Sequence, residues 1–286
     1  MIILQHPDCA SYGFPGHPER PQRVIDAIIH LRRSFSGVEW RTAAAPRDDE
    51  AILRAHTAEH LARLAVPRPF DGDTPYHEGI DQIARLSVGG ALEAADIARK
   101  GHRAFSLMRP PGHHATATRA MGFCYLNNIA IAALHARATG VVRVAIWDFD
   151  AHHGNGTEEI LQGRDGMLFA SVHQFPGYPG TGTSSRGNCL NFPVLPDTPA
   201  DRHMEILRQS WDAVLKFKPE LLLVSAGFDA FWHDPITTLC LQVNDFLTLG
   251  CWLHDADLPT AALLEGGYAD ALPQLIAAFL EGWRHG

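Results

Sequence analysis

Acidic and imidazole side chains are concentrated in the segment 147–157, WDFDAHHGNGT, directly after an apolar run. That run is rich in β-branched and aromatic residues, which predicts a buried strand leading into the segment. Alternation along an extended chain directs Asp148, Asp150 and His152 to one side. Carboxylates and imidazoles bind divalent transition metals, so the segment is predicted to form part of a metal site.

A further ligand is predicted in the segment 225–229, SAGFD, which follows a second apolar run. Asp150, His152 and Asp229 form the predicted zinc site, because three protein ligands leave a position for water and substrate, as in catalytic zinc sites. The structural alternatives are a solvated loop pair for Asp150 and His152, and a helix N-cap for Asp229. Their joint placement after predicted strands favours the metal site.

Two adjacent histidines, His113 and His114, follow a rigid Pro-Pro-Gly turn. Neighbouring side chains in a stiff loop point in different directions, so they seldom bind one ion together. An imidazole with a pKa near neutrality suits proton transfer, which is the predicted role. Each ring needs an orienting partner, and Asp148 and Asn155 are the nearest unassigned polar groups. A second metal site or an exposed loop is the alternative.

Three aromatic residues lie in glycine- or proline-rich segments. Tyr268 follows two glycines, which allow a sharp turn, and its phenol is predicted to donate a hydrogen bond to a developing oxyanion. Packing at a strand end is the alternative. Phe123 and Tyr178 are interpreted as walls of a narrow apolar slot, against the alternative of surface aromatics in turns.

These side chains need a scaffold that gathers them, and the hydrophobic pattern predicts one. Strand-like runs alternate with segments of helical period, which indicates a mostly parallel sheet covered by helices in one α/β/α domain spanning residues 1–286. The predicted strands are 1–5, 104–108, 141–149, 167–172, 221–225 and 260–264. The predicted helices are 21–33, 79–99, 127–138, 200–217, 245–255 and 271–283. The chemistry-bearing segments follow strands, and the carboxyl ends of parallel strands share one edge.

Composition excludes several classes of protein. A formal net charge of −8 without a basic cluster argues against nucleic-acid binding. The five cysteines form no CxxC pair, so neither a zinc ribbon nor a disulfide framework is indicated. No apolar stretch has transmembrane length and no signal-peptide pattern opens the chain, so a cytoplasmic protein without membrane contact is expected.

The motifs RPPGHH, GFCYLNN, WDFDAHHGNGT, SAGFDA and LEGGY occur in the order typical of the zinc-dependent histone deacetylase family, which the chain resembles. The resemblance implies the arginase–deacetylase fold and one zinc ion held by Asp150, His152 and Asp229. It implies that His114 is the general base and then acid and that His113 is its electrostatic partner. By the same resemblance, Asp148 orients His113, Asn155 orients His114, and Tyr268 binds the oxyanion.

The resemblance also assigns residues around the substrate. Gly122, Phe123 and Tyr178 would line the channel, Asp73 would hold the substrate backbone at the rim, and Ile236 stands at a gatekeeper position. A structural potassium ion would be held by Asp148, Asp150, His152 and Ser171. Asn155, in place of the aspartate of one major branch, makes the chain similar to the class II-like branch.

The expected activity is removal of an acetyl or other acyl group from a lysine-like side-chain amine. Acetylpolyamine or other small-amine deacetylation is the alternative on the same site. A ureohydrolase with two manganese ions is a rival, although the segment around Asp229 offers only one carboxylate. A rival of another class is an inactive scaffold that binds acyl-lysine. Relatives form monomers, dimers and tetramers, so an oligomer is compatible with the sequence.

Overall fold

The computed structural model describes residues 1–286. Its strands are β1 (Ile2–Gln5), β2 (Glu39–Thr42), β3 (Ala104–Ser106), β4 (Val144–Asp148), β5 (Met167–Gln174), β6 (Cys189–Val194), β7 (Leu221–Ala226) and β8 (Thr260–Leu264). Its α-helices are α1 (Gln22–Ser34), α2 (Glu50–Leu53), α3 (Ala58–Leu64), α4 (Ile80–Arg99), α5 (Asn128–Ala138), α6 (Asn155–Leu161), α7 (Ala200–Phe217), α8 (Val243–Ala256) and α9 (Leu272–His285). No helix is both long and apolar enough to cross a membrane.

All eight strands form one parallel sheet in the order β2-β1-β3-β8-β7-β4-β5-β6. Alternate residues of each strand enter two separate apolar cores, as β4 illustrates. Val144 and Ile146 pack into the core beneath α4 and α5, whereas Ala145 and Trp147 pack into the core beneath α7, α8 and α9. The predicted α/β/α arrangement with a parallel sheet is therefore confirmed.

The middle of the sheet positions the functional segments. Strands β3, β8, β7 and β4 are the four central strands, and each leads into one of the motifs. Helix α5 ends where the sequence predicts and begins one residue later, at Asn128, with the predicted first residue Asn127 as its N-cap. The Asn127 side chain accepts the Ala130 N–H at 3.0 Å, and Gly140 adopts a left-handed φ of 104° beyond its last turn.

The sequence prediction misses both edge strands. In β2, Glu39–Thr42, no residue is buried, so the strand lacks the alternating pattern that marks a half-buried strand. Strand β6 contains Pro193, which edge strands tolerate because one side needs no ladder hydrogen bond. The predicted end of β5 is also wrong, since the strand continues to Gln174 and places His173 within it. The short helices α2, α3 and α6 were not predicted.

Candidate active site

The carboxyl end of β4 supplies the centre of the site. Asp148 is its last residue and lies between Ser171 of β5 and Ser225 of β7 in the strand register. Two residues later, the Asp150 carboxylate accepts the N–H of His152 at 2.9 Å and the N–H of Gly266 at 2.7 Å. Main-chain donors from two segments therefore fix the orientation of this buried carboxylate.

The loop after β7 brings Asp229 to the same point. Its Oδ1 accepts the Ala151 N–H at 2.8 Å, and its Oδ2 lies 2.8 Å from His152 Nδ1. One ligand atom each from Asp150, His152 and Asp229 lies within 4.8 Å of the others. The tertiary structure thus brings together three side chains from two loops that could hold a metal ion. In this structure Asp229 does not cap a helix.

The donor set fits a divalent cation. Burial raises the pKa of Asp229, as does the neighbouring Asp150 carboxylate. Burial alone would lower the pKa of His152, but Asp229 and Asp150 outweigh it and raise that pKa to about 10. Metal ligands bind in their deprotonated forms, so a bound cation would favour the neutral ring of His152 and the ionised carboxylate of Asp229. Two carboxylates and one imidazole are ligands that zinc accepts.

Gly266 leaves room for the carboxylates of Asp150 and Asp229. A Cβ atom built there would overlap the carboxylate oxygens of both Asp229 and Asp150. Any side chain at this position would displace the carboxylates of Asp229 and Asp150, so the close approach of the loop after β8 requires glycine.

The paired histidines differ in their surroundings. His113 Nδ1 lies 3.0 Å from Asp148 Oδ2, and His114 Nδ1 lies 2.8 Å from Asn155 Oδ1. Because the carboxylate and the amide oxygen only accept, both Nδ1 atoms donate, which leaves the Nε2 of His114 with its lone pair when that ring is neutral. The two rings are 4.0 Å apart between centroids.

The surroundings of His113 and His114 shift their pKa values in opposite directions. Burial opposes the charged form of His113, but the carboxylates of Asp150 and Asp148 outweigh it and raise its pKa to about 10. Burial lowers the pKa of His114, and the neighbouring His113 and His152 lower it further. His113 is therefore suited to remain charged, and His114 to act as a neutral base.

A cavity of about 340 Å³ opens from these groups to the surface. The buried His114 and Tyr268 lie at its inner end, together with His152. The remaining residues assigned from the sequence also line it, namely Gly122, Phe123, Tyr178, Ile236 and Asp73. Tyr178 and Ile236 are each 38% exposed, which places them toward the mouth.

Tyr268 is held on several sides. Its ring meets Phe123 edge-on with centroids 5.7 Å apart, and the guanidinium of Arg23 lies 4.7 Å from its ring centroid. Burial raises the pKa of the Tyr268 phenol well above its usual value. The phenol therefore stays protonated at neutral pH and remains a hydrogen-bond donor.

Ser171, the remaining residue assigned to a potassium site, lies directly opposite Asp148 on β5 and is fully buried. Its hydroxyl lies 2.9 Å from His173 Nδ1. His153 lies outside the cavity, where its ring nitrogens contact Thr181 Oγ1 and Glu158 Oε2.

Sequence reasoning gave no role to two residues at this site. His17 lines the cavity, packs edge-on against Phe123 with centroids 4.7 Å apart, and contacts the carbonyl oxygen of Asp73 at 3.2 Å. Glu265 accepts the N–H groups of Gly112 and His113 at 2.7 and 3.1 Å, so it holds the loop that carries both histidines. The available signals were the proline-rich segment HPERP at residues 17–21, which begins with His17, and the LEGGY motif, which contains Glu265.

Comparisons with known proteins agree with this geometry. A family model described as the histone deacetylase domain matches residues 17–283. A probable deacetylase of Methanothermobacter thermautotrophicus is 39% identical over 302 residues, which cover 99% of this chain and 90% of the relative. An acetylpolyamine amidohydrolase of Mycoplana ramosa is 37% identical over 256 residues, covering 82% and 75%.

The fold comparison leads to the same group. The crystal structure of acetylpolyamine aminohydrolase from Burkholderia pseudomallei superposes with a TM-score of 0.92 and 28% sequence identity, covering 100% of this chain and 99% of the other. The predicted arginase–deacetylase fold is thereby confirmed. A family match over nearly the whole chain, with relatives named as deacetylases and amidohydrolases, shows that this protein belongs to the histone deacetylase family of hydrolases.

Proposed function

We propose that this deacetylase uses one zinc ion to hydrolyse the acyl amide of a lysine-like amine, most simply an acetyl amide. The supporting observation is that one cavity is lined at once by His152 of the candidate metal group, by the His114 imidazole and by Tyr268. An acyl carbonyl at that point would meet a Lewis acid, a base and a hydrogen-bond donor together.

Asp150, His152 and Asp229 would hold the zinc ion. A bound zinc ion supplies Lewis-acid activation of the amide carbonyl and of a water molecule. The chain orients its ligands in advance, because the Asp150 carboxylate accepts two main-chain N–H groups and the Asp229 carboxylate accepts one.

His114 would take the proton from the attacking water. Its Nδ1–H is fixed on Asn155, so its Nε2 is available as the base, and the same atom would later return the proton to the leaving amine. His113, charged and held by Asp148, would stabilise the negative charge that develops at the carbonyl oxygen. Tyr268 would donate its O–H to that oxygen.

The cavity walls would hold the substrate chain. Phe123 and Tyr178 offer aromatic surface to an alkyl stem, and Gly122 leaves room for it. At the mouth, Ile236 is apolar whereas Asp73 is acidic, so the entrance accepts either a peptide backbone or an amine. The resemblance also implies a structural potassium ion held by Asp148, Asp150, His152 and Ser171, which an activity titration with potassium against sodium would test.

The Tyr268→Phe variant tests the chemical assignment. Loss of the hydroxyl should lower turnover by about 10²- to 10³-fold, the usual cost of removing one oxyanion donor, while zinc content stays at one ion per chain. Tyr76→Phe is the matched control, because Tyr76 does not line the cavity. Full turnover in Tyr268→Phe would contradict the oxyanion role. No turnover of any acyl amine by the wild-type enzyme would favour an inactive scaffold.

The second candidate is deacetylation of an acetylated polyamine, favoured by relatives named acetylpolyamine amidohydrolase. Rates on an acetyl-lysine peptide, on N-acetylputrescine and on octanoyl- or trifluoroacetyl-lysine separate the possibilities. The substrate with the highest kcat/KM identifies the class, since kcat/KM measures discrimination between competing substrates.

A further inference from the structure

A second acidic residue lies in the loop after β7, five positions beyond the proposed metal ligand Asp229. Asp234 is only 7% exposed, and both of its carboxylate oxygens accept main-chain hydrogen bonds. Oδ2 accepts the N–H of Tyr268 at 2.7 Å, and Oδ1 accepts the N–H of Ile236 at 3.1 Å. Its oxygens are thus engaged by the backbone of two residues that line the cavity.

The bond to Tyr268 fixes one particular peptide group. The peptide between Gly267 and Tyr268 presents its carbonyl oxygen to Arg23 Nε, at 2.7 Å, and its N–H to Asp234. A planar peptide held at both ends cannot rotate about the chain axis. The restraint is needed here because Gly267, with a φ of 116°, has no side chain to limit the backbone on that side.

The direction of the Tyr268 side chain depends on this peptide. Rotation of the Gly267–Tyr268 peptide would change the φ angle of Tyr268 and swing its Cα–Cβ bond, which carries the phenol. A misplacement on the order of 1 Å at a reacting group can cost about 100-fold in rate. Asp234 holds this peptide without itself lining the cavity.

The second oxygen extends this control to the cavity wall. Asp234 and Ile236 form a turn in which an aspartate side chain accepts the N–H two residues ahead, with Pro235 between them. This turn presents Ile236 at the cavity mouth. One carboxylate thus links the reacting end of the cavity to its entrance.

We propose that Asp234 is a positioning residue that sets the Tyr268 phenol by holding the Gly267–Tyr268 peptide and ties that position to the wall residue Ile236. The inference rests on the proposed function, in which Tyr268 binds the oxyanion. It assigns a role to an acidic residue that the proposed chemistry does not otherwise use.

The Asp234→Asn variant is the direct test. An amide of the same shape has one oxygen, so it cannot accept both N–H groups, and one backbone anchor is lost. The expected result is a fall in kcat of about 10- to 100-fold with zinc content unchanged. Asp245→Asn is the matched control, because Asp245 also accepts a main-chain N–H, from Gln242 at 2.7 Å, but lies at the start of α8 away from the cavity. This control should keep wild-type turnover.

A double variant separates positioning from general loss of structure. If Asp234 acts through Tyr268, then Asp234→Asn in the Tyr268→Phe background should lower kcat by less than about 2-fold, because the two effects are not additive. Equal losses in both backgrounds would overturn the proposal, as would wild-type kcat in the single variant. In either case the loss caused by Tyr268→Phe alone would still support the proposed function.

Amide hydrogen exchange in the wild-type enzyme provides a readout that needs no variant. The amides of Tyr268 and Ile236 should exchange slowly, since both are hydrogen-bonded to a buried carboxylate. Fast exchange of the Tyr268 amide in the folded enzyme would overturn the proposal, even if Asp234→Asn failed to fold.

Discussion

Two neighbouring histidines acquire opposite proton affinities at this site because their partners differ. His113 faces two carboxylates, whereas His114 faces a neutral amide and two other imidazoles. A carboxylate stabilises imidazolium and an amide oxygen does so much less, so Asn155 keeps His114 available as a base. Burial and the neighbouring His113 and His152 lower the pKa of His114, and a carboxylate in place of Asn155 would oppose them, which makes the difference accessible to substitution.

Asn155→Asp should shift the pH dependence of activity. A carboxylate at Nδ1 favours the protonated form of His114 and raises its pKa, and the base is then lost at a higher pH than in the wild type. The acid limb of kcat/KM should move to higher pH, with the largest loss of activity on the acidic side. Asn244→Asp, which adds the same charge on the exposed start of α8, is the control. An unmoved acid limb would show that His114 is not the titrating base.

At the scale of the elements, one buried carboxylate joins the chain before α1 to the ends of β3 and β8. Glu19 accepts hydrogen bonds from both Arg109, at 2.5 Å from Nη2, and Arg23, at 3.0 Å. Arg23 also donates to the carbonyl of Gly267 in the loop after β8. Burial by itself would raise the pKa of Glu19, but the two guanidinium groups outweigh it and lower that pKa to about 2.

Glu19→Gln should destabilise the fold by about 3–5 kcal/mol at neutral pH, because it leaves two buried guanidinium groups without their counter-charge. Because the pKa of Glu19 is lower in the folded state than its ordinary value of 4.5, its ionised carboxylate stabilises the fold at pH values above 4.5. This contribution is lost as the pH falls toward about 2. The stability difference between wild type and variant should therefore shrink over that interval. Urea unfolding of both proteins at neutral and at acidic pH measures this difference in the free energy of unfolding.

The control for this prediction is Glu39→Gln, which removes a carboxylate from an exposed pair with Arg41. Exposed ion pairs contribute little, so the free energy of unfolding should change only slightly. If Glu19→Gln were no more destabilising than Glu39→Gln, the buried network would have no special structural role.

The elements that could be predicted are those whose sequence pattern reports burial directly. The interior strand β8 is predicted with its observed bounds, and the helix α7 likewise, since the strand is wholly buried and mainly apolar and the helix is amphipathic. The edge strand β2 was missed because none of its residues is buried, and β6 because Pro193 interrupts its apolar run. The short helix α6 was missed because its start lies inside a motif rich in polar residues.

At the scale of the whole molecule, the parallel sheet places several buried carboxylates close together at its carboxyl edge, between two apolar cores. Asp148, Asp150 and Asp229 are all fully buried at the carboxyl ends of β4 and β7. Burying carboxylates is costly unless they are paired, and a bound cation offsets that cost. Metal binding is therefore expected to stabilise the fold as well as to serve the reaction.

Removal of the metal should lower the melting temperature. A ligand present at about 100 times its Kd stabilises the folded state by about 2.7 kcal/mol. For a chain of this size the corresponding shift is on the order of 5 °C. Chelation should lower the melting temperature by that amount and abolish turnover, and one equivalent of zinc should restore both. Asp150→Asn should show no thermal response to zinc.

Elemental analysis of the reloaded enzyme completes this test. One ion per chain is expected, because the ligand atoms of three residues converge at one point. Two transition-metal ions per chain would contradict the mononuclear site and favour the ureohydrolase type of chemistry. An unchanged melting temperature after complete metal removal would contradict the stabilising role.

The amino-acid sequence by itself determined the chemical types at the site and the strands that carry them. The residues of WDFDAHHGNGT are adjacent in the chain, and apolar runs mark the interior strands, so local pattern is sufficient for both. The same pattern predicts that the motifs meet at one edge of a parallel sheet.

Only the tertiary structure decided which atoms meet. The bonds from Asp229 to the loop of Asp150, from Asp234 to the Tyr268 amide, and from Glu19 to Arg109 all join positions far apart in the chain. Such contacts depend on strand order and register, and on how loops pack across the sheet edge. A local sequence pattern carries no information about those relations, because each bond is fixed by the packing of elements distant in sequence.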